Sequence, residues 1–259
     1  MDKKILLKSA FAFLLLSILP LNICIAEDIN TEPKSLEDAF SMGKANLLVR
    51  SRYETVHQEG ISKDANAFTI LSRLGYETAE YQSFKAFMEV ENVSAPGNES
   101  YNSTTNGSTQ YPIVSDPTLT QVNQAFLSYS GLENTSTRFG RRVILLDNQR
   151  FVGDVGWRQN NQTFDGIDLE NNSWKDTKIF YSWNYQVNRI FGEDSPQGTF
   201  NSQIHLLNVN HQITPEMNIA PFIYLLDLEN AADKSGATYG GRFTGTIPVE
   251  NTKLKIPYE

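Results

Sequence analysis

Residues 178–188 read KIFYSWNYQVN, and no helix can use that order well. Ile179, Tyr181, Trp183, Tyr185 and Val187 fall on one side of an extended chain, and Lys178, Ser182, Asn184, Gln186 and Asn188 on the other. The same period of two recurs. In NLLVRSRYETV, Arg50, Arg52 and Glu54 oppose Val49, Ser51, Tyr53 and Thr55. In FTILSRLGYE, Thr69, Arg73 and Glu77 oppose Phe68, Ile70, Leu74 and Tyr76. In FKAFMEVE, Lys85, Glu89 and Glu91 oppose Phe84, Ala86, Met88 and Val90, and near the end Arg242 opposes Tyr239 and Phe243. With QVNQAFLSYS, RRVILL, QIHLLNVNH and APFIYLLDL this makes about ten strands of about ten residues, the length a tilted strand needs to cross a bilayer. One short helix is expected in SLEDAFSMGK, where Ser35 and Asp38 form a capping pair and Gly43 can end the turn.

The first 26 residues read as a separate object. Lys3, Lys4 and Lys8 precede an apolar run that ends at Ala26, the layout of a cleaved secretory leader. Without it the chain carries 19 basic against 29 acidic residues and loses its one cysteine, Cys24. An exported, cysteine-free chain holds together by burial and hydrogen bonds rather than disulfides. The acidic balance argues against nucleic-acid binding. Beyond Ala26 no apolar stretch approaches the ~18 residues of a membrane helix. The expected division is leader 1–26, an N-terminal segment with the helix over 27–45, and a β domain over 46–259.

Two β architectures fit these facts. A secreted β-sandwich that binds carbohydrate through surface aromatics is the alternative; a transmembrane antiparallel β-barrel of the outer-membrane type is the better fit. The apolar faces carry Tyr and Trp, as lipid-facing girdles do, and the opposite faces carry charges too closely spaced for a dry core. The connections also differ in kind, since ITPEMN is tight whereas residues 92–120 are long and rich in Asn, Ser and Thr. That long connection is expected to be extracellular and mobile, unless Tyr101 and Tyr111 pin it into the lumen.

Beyond this reading from the residues, the blocks NLLVRSRYE, SRLGYET, YPIVSDPTLTQVNQAFLSY, FGRRVILLDNQRFVGDVGWRQNNQTFDG, YSWNYQVNRIFG and SGATYGGRFTG resemble, in order, the bacterial alginate-export porin domain family. The resemblance implies an outer-membrane channel seated in the lipid bilayer, for anionic or sugar-like solutes, polyuronates among them. It also implies more strands than the sequence supplies, so the barrel is expected to be incomplete. The sequence does not set the number of subunits.

Candidate pore-lining residues follow from both arguments. Alternation puts Arg50, Arg52, Glu54, Arg73, Glu77 and Arg242 on polar strand faces, and the resemblance adds Arg142, Arg158 and Arg189. Guanidinium groups there can form an anion path or an ion-paired lattice with the neighbouring glutamates; the anion path is slightly favoured. The segment DNQRFVGDVGWRQNNQTFDG, residues 147–166, is expected to be a connection and strand start lining the pore, with Gly153 and Gly156 allowing tight turns. Trp157 fits a pore role or an interface anchor equally. No nucleophile elbow, phosphate loop or dinucleotide fingerprint is present, and His57, His205 and His211 lack partners for a metal set. Asp154 with Asp165 or Asp168 is a weak candidate for a glycosidase pair. No enzyme, metal or cofactor is expected.

Overall fold

The alternating segments become strands of one antiparallel sheet in the computed structural model, which describes residues 14–17, 21–25, 32–248 and 255–259. The strands are β1 (Leu14–Ser17), β2 (Leu21–Ile25), β3 (Lys44–Val56), β4 (Ala65–Glu77), β5 (Phe84–Ser94), β6 (Leu119–Leu132) and β7 (Thr135–Arg142). They continue as β8 (Thr163–Asn171), β9 (Thr177–Asn188), β10 (Thr199–Thr214), β11 (Met217–Leu228), β12 (Gly236–Pro248) and β13 (Lys255–Tyr258). From β3 onward each strand pairs with the next in sequence, the up-and-down order of membrane barrels. This single sheet is not the two packed layers of a sandwich. Most of the expected leader lies outside the described residues, but β1 and β2 fall within it and pair with β3. Among the described residues no ladder joins β13 back to the β3 side, so the sheet order is open.

The helix α1 (Leu36–Ser41) forms where expected, with the Ser35 hydroxyl accepting from the Asp38 amide at 3.0 Å. Gly43 serves by close approach rather than by a left-handed turn: a Cβ there would strike the Tyr76 ring and the Glu77 carbonyl.

The two ends of the sheet differ. Connections 57–64, 95–118, 143–162, 189–198 and 229–235 lie at one end, and 78–83, 133–134, 172–176 and 215–216 at the other. The two faces differ as well. Phe68, Leu74, Met88, Leu127, Phe139, Ile167, Tyr181, Ile223, Tyr239 and Phe243 are exposed on the outer face. So continuous an apolar belt is stable against lipid and not against water. The inner face buries Arg52, Glu54, Thr69, Glu89, Glu91, Asn123, Arg142, Asp168, Ser182, Asn184 and Asn208.

Three local expectations change. Val187, assigned to the outer face by alternation, is buried on the inner face with Phe164 and Ile204. The register of β9 shifts against both neighbours, with Tyr185 left unpaired beside Gln186, and a residue inserted in one strand flips the parity beyond it. RRVILL is not a strand throughout, because β7 ends at Arg142. Ile144 and Leu146 leave the ladder and turn inward onto the buried cluster of Phe164, Phe180, Leu206, Phe222 and Tyr224. Finally, β8 is a full strand whose period is hidden in the sequence by Asp165, Gly166, Asp168 and Glu170.

Candidate functional site

The connection 143–162 lies across the inner face and is held from two sides. On the side of β8–β11 the grip is apolar: Ile144, Leu146 and Val152 sit in the buried cluster. On the side of β3 and β4 the grip is charged and polar. Arg50 donates to the Gln159 side chain at 3.0 Å, to the Gly156 carbonyl at 2.9 Å and to the Arg158 carbonyl. Arg52 donates to the Trp157 carbonyl. Arg73 reaches the Gln159 carbonyl at 3.1 Å and Asn161 Oδ1 at 2.5 Å, and the Gln159 amide donates to Thr69 Oγ1 at 2.8 Å. Three arginines that alternate along two neighbouring strands thus read the backbone of one segment.

Two of these arginines, Arg52 and Arg73, are also neutralised. Glu54 pairs with Arg52 at 2.5 Å and with Arg158 at 3.1 Å, and Glu91 pairs with Arg73 at 2.8 Å. Asp116, from the connection 95–118, lies 3.4 Å from Arg52 and 3.6 Å from Arg158, and its other oxygen accepts the Gln159 backbone N–H at 2.9 Å. Burial pushes the Arg158 guanidinium below its ordinary value, while Asp116 and Glu54 favour its charged form. The Trp157 ring lies within cation–π reach of both Arg158 (3.9 Å) and Arg52 (4.6 Å). It therefore stands on the inner side of the sheet.

The connection 95–118 is not the free loop its composition suggests. Tyr101 and Val114 are buried against Val56, Ala65 and Ala67, with Tyr111 packed beside them. The Tyr101 hydroxyl donates to the Asp116 carbonyl at 3.0 Å, and burial raises its pKa. The pinned arrangement is the one the chain adopts.

The tight turns of 143–162 do not use its glycines as expected. The left-handed positions are Asp147, Gln149 and Val155, with φ of 51°, 61° and 54°, whereas Gly153 and Gly156 have no positive φ. Val155 is a β-branched residue there, a conformation that costs about 1–3 kcal/mol and persists only when its surroundings impose it.

The remaining expected residues scatter. Arg142, fully buried, pairs with Asp168 at 2.7 Å and donates to Ser182 and Asn184, while Arg138 holds the same Asp168 through both oxygens. Arg189 follows β9 at the long-connection end, over the rings of Phe191 (4.6 Å) and Phe200 (4.3 Å), the second of which packs against the buried apolar cluster. Glu77 is half-buried at the short-turn end of β4. Arg242 pairs with Glu259 at 2.9 Å and borders an inner cavity of about 390 Å³. Arg138, Lys178, Asp147, Glu170 and Asn208 line the same cavity over a floor of Ile144, Leu146 and Phe180. Of the acids in the weak glycosidase pairing, Asp154 accepts from the Gly156 N–H at 2.8 Å and from the Asn161 side chain at 3.0 Å within its own segment. Asp165 pairs with Arg141, which lies with the apolar Val90, Val122 and Ala125 along an outer groove, whereas Asp168 is buried inside. Sequence reasoning missed Asp116, Gln159, Asn161 and Arg138; the clustering of charges and amides within two connections was the available signal.

A family model described as alginate export matches residues 49–245. Two crystal structures, of OccAB1 and OccAB4 from Acinetobacter baumannii, resemble the fold with a TM-score of 0.61 and 13% identity each. The first match covers 83% of this chain and 50% of that one, and the second 80% and 56%. The chain therefore spans about half the length of these two barrels, and the likeness is one of fold. None of the curated proteins matches the chain.

Proposed function

This chain belongs to the alginate-export family of outer-membrane transport channels, which are not enzymes, and from that premise we propose a narrowed pore for small anionic or sugar-like solutes. The observation that carries the reading is the segment 143–162 drawn across a polar inner wall and clamped from both sides. A wall that is polar inside and apolar outside is what a water-filled lumen in lipid requires. The segment narrows that lumen as an inward-folded connection does.

The pore-lining residues divide by role. Arg50, Arg52, Glu54, Arg73 and Arg158, with Arg142 further along the wall, act as a lattice that fixes the narrow part. The lattice reading is supported by the pairing of Arg52, Arg73, Arg142 and Arg158 with Glu54, Glu91, Asp116 and Asp168, and Arg50 joins them through the carbonyls it holds. Arg138, Lys178 and Arg242 keep one side toward the cavity of about 390 Å³ and are the cations a passing carboxylate meets. Their own partners Asp168, Glu170 and Glu259 leave a weak field, so the selectivity is modest. Residues 1–26 are proposed as a leader removed after Ala26, on the strength of Lys3, Lys4, Lys8 and the apolar run that follows.

The test is the reversal potential of the full-length protein in a planar bilayer across a potassium chloride gradient. A mild anion preference is expected, and the variant Lys178→Gln/Arg242→Gln moves the potential toward zero. A cation preference, or a potential unchanged by both substitutions, contradicts the reading.

A further inference from the structure

At the short-turn end the inner wall changes from charge to amide. The β9–β10 register sets Lys178 opposite Asn210, and the β10–β11 register sets Gln212 opposite Asn218. Asn210 and Gln212 are two apart on β10 and so share a face. Asn172 and Trp174, from the connection 172–176, complete a cavity of about 320 Å³ with them. That volume lies at the lower end of small-ligand clefts, roughly 300–1,000 Å³.

Asn208, one step deeper, spends its amide on Asp147 and Tyr224. The side-chain amides of Asn210, Gln212 and Asn218 have no hydrogen-bond partner among the described residues, so their donors and acceptors face the cavity. The charge of Lys178 is answered by Glu170 at 2.5 Å, and Asp176 is the one acidic residue in the lining. Trp174 is 67% exposed at the cavity rim.

An amide offers a carbonyl acceptor beside two N–H donors, and a sugar hydroxyl needs both kinds of partner at once. An exposed indole offers a flat apolar surface for the C–H face of a pyranose ring. A carboxylate, by contrast, would meet the like charge of Asp176, which lines the same cavity. We infer that the short-turn mouth binds uncharged glycosyl units of an oligosaccharide, with Trp174 under the ring and Asn210, Gln212 and Asn218 on its hydroxyls. The inference rests on the channel reading for the site's position at a pore mouth.

Isothermal titration calorimetry on the full-length protein, folded in detergent, tests it with maltohexaose as the neutral probe and trigalacturonate as the acidic one. Saturable maltohexaose binding that is insensitive to salt is expected. Trp174→Ala weakens it roughly tenfold, and Asn210→Ala/Gln212→Ala weakens it by at least as much. Heat-modifiable gel migration verifies that each variant folds. No saturable maltohexaose binding, parental affinity in either variant, or binding of trigalacturonate alone that fades with salt overturns the site. Bilayer conductance separates the two readings. A protein that conducts but does not bind maltohexaose loses the site and keeps the pore, whereas one that binds without conducting keeps the site and loses the pore.

Discussion

Arg142 shows what one buried charge does in this wall. It is fully buried, pairs with Asp168, donates to two carbonyls, and reaches Ser182 and Asn184 on β9. A buried pair adds little net stability, but removing one partner leaves an uncompensated charge at a cost of about 3–5 kcal/mol. Arg138 still faces Asp168 after such a loss, so the lower end applies to Arg142→Ala. Urea unfolding followed by tryptophan fluorescence should show a loss of about 3 kcal/mol; a change below about 1 kcal/mol would mean the pair is idle. Alternation alone made Arg50, Arg52 and Arg73 legible as inward residues, because a strand's parity is local. Their partners were not legible. Asp116 and Gln159 arrive from connections far along the chain, and nothing in the local order of a loop says which wall it meets. Val187 was misread for the opposite reason, since one extra residue at Tyr185 reverses a parity that the sequence carries unbroken.

At the scale of elements, strands β3–β5 and β9–β12 could be read directly and 147–166 could be placed along the pore, while β8 and the packed course of 95–118 could not be read. A strand reveals itself by contrast between faces, and β8 has acids on both. The connection 95–118 has few apolar residues, but Tyr101 and Val114 suffice because Val56, Ala65 and Ala67 open a small apolar pocket for them. Its middle is exposed and its return is buried: Thr105 faces solvent, whereas Ser115 is buried beside Asp116. An impermeant maleimide added to intact cells should therefore label Thr105→Cys quickly and Ser115→Cys at least about tenfold more slowly, the protection expected of a packed segment. Equal rates would return this connection to the mobile loop its composition suggests. The connection 143–162 has apolar residues at one end and amides with arginines at the other, the division that lets it bridge β8–β11 to β3 and β4.

For the whole molecule, the sheet supplies an apolar outer belt and a polar inner wall, and 143–162 crosses the space between its early and late strands. Both clamps are needed for that crossing. The apolar one places Ile144 and Leu146, and the polar one holds Gly156, Gln159 and Asn161 against Arg50 and Arg73. Val155 at φ 54° shows that the segment is held rather than relaxed. Releasing the polar clamp should let the segment swing aside while the strands stay paired. The most direct measurement is single-channel conductance of the full-length protein in planar bilayers, compared with Arg50→Ala/Arg73→Ala that still migrates as a folded barrel. The account predicts small, steady openings for the parent and larger, noisier ones for the variant. Equal conductance in the two, or no channels from the folded parent, would contradict it.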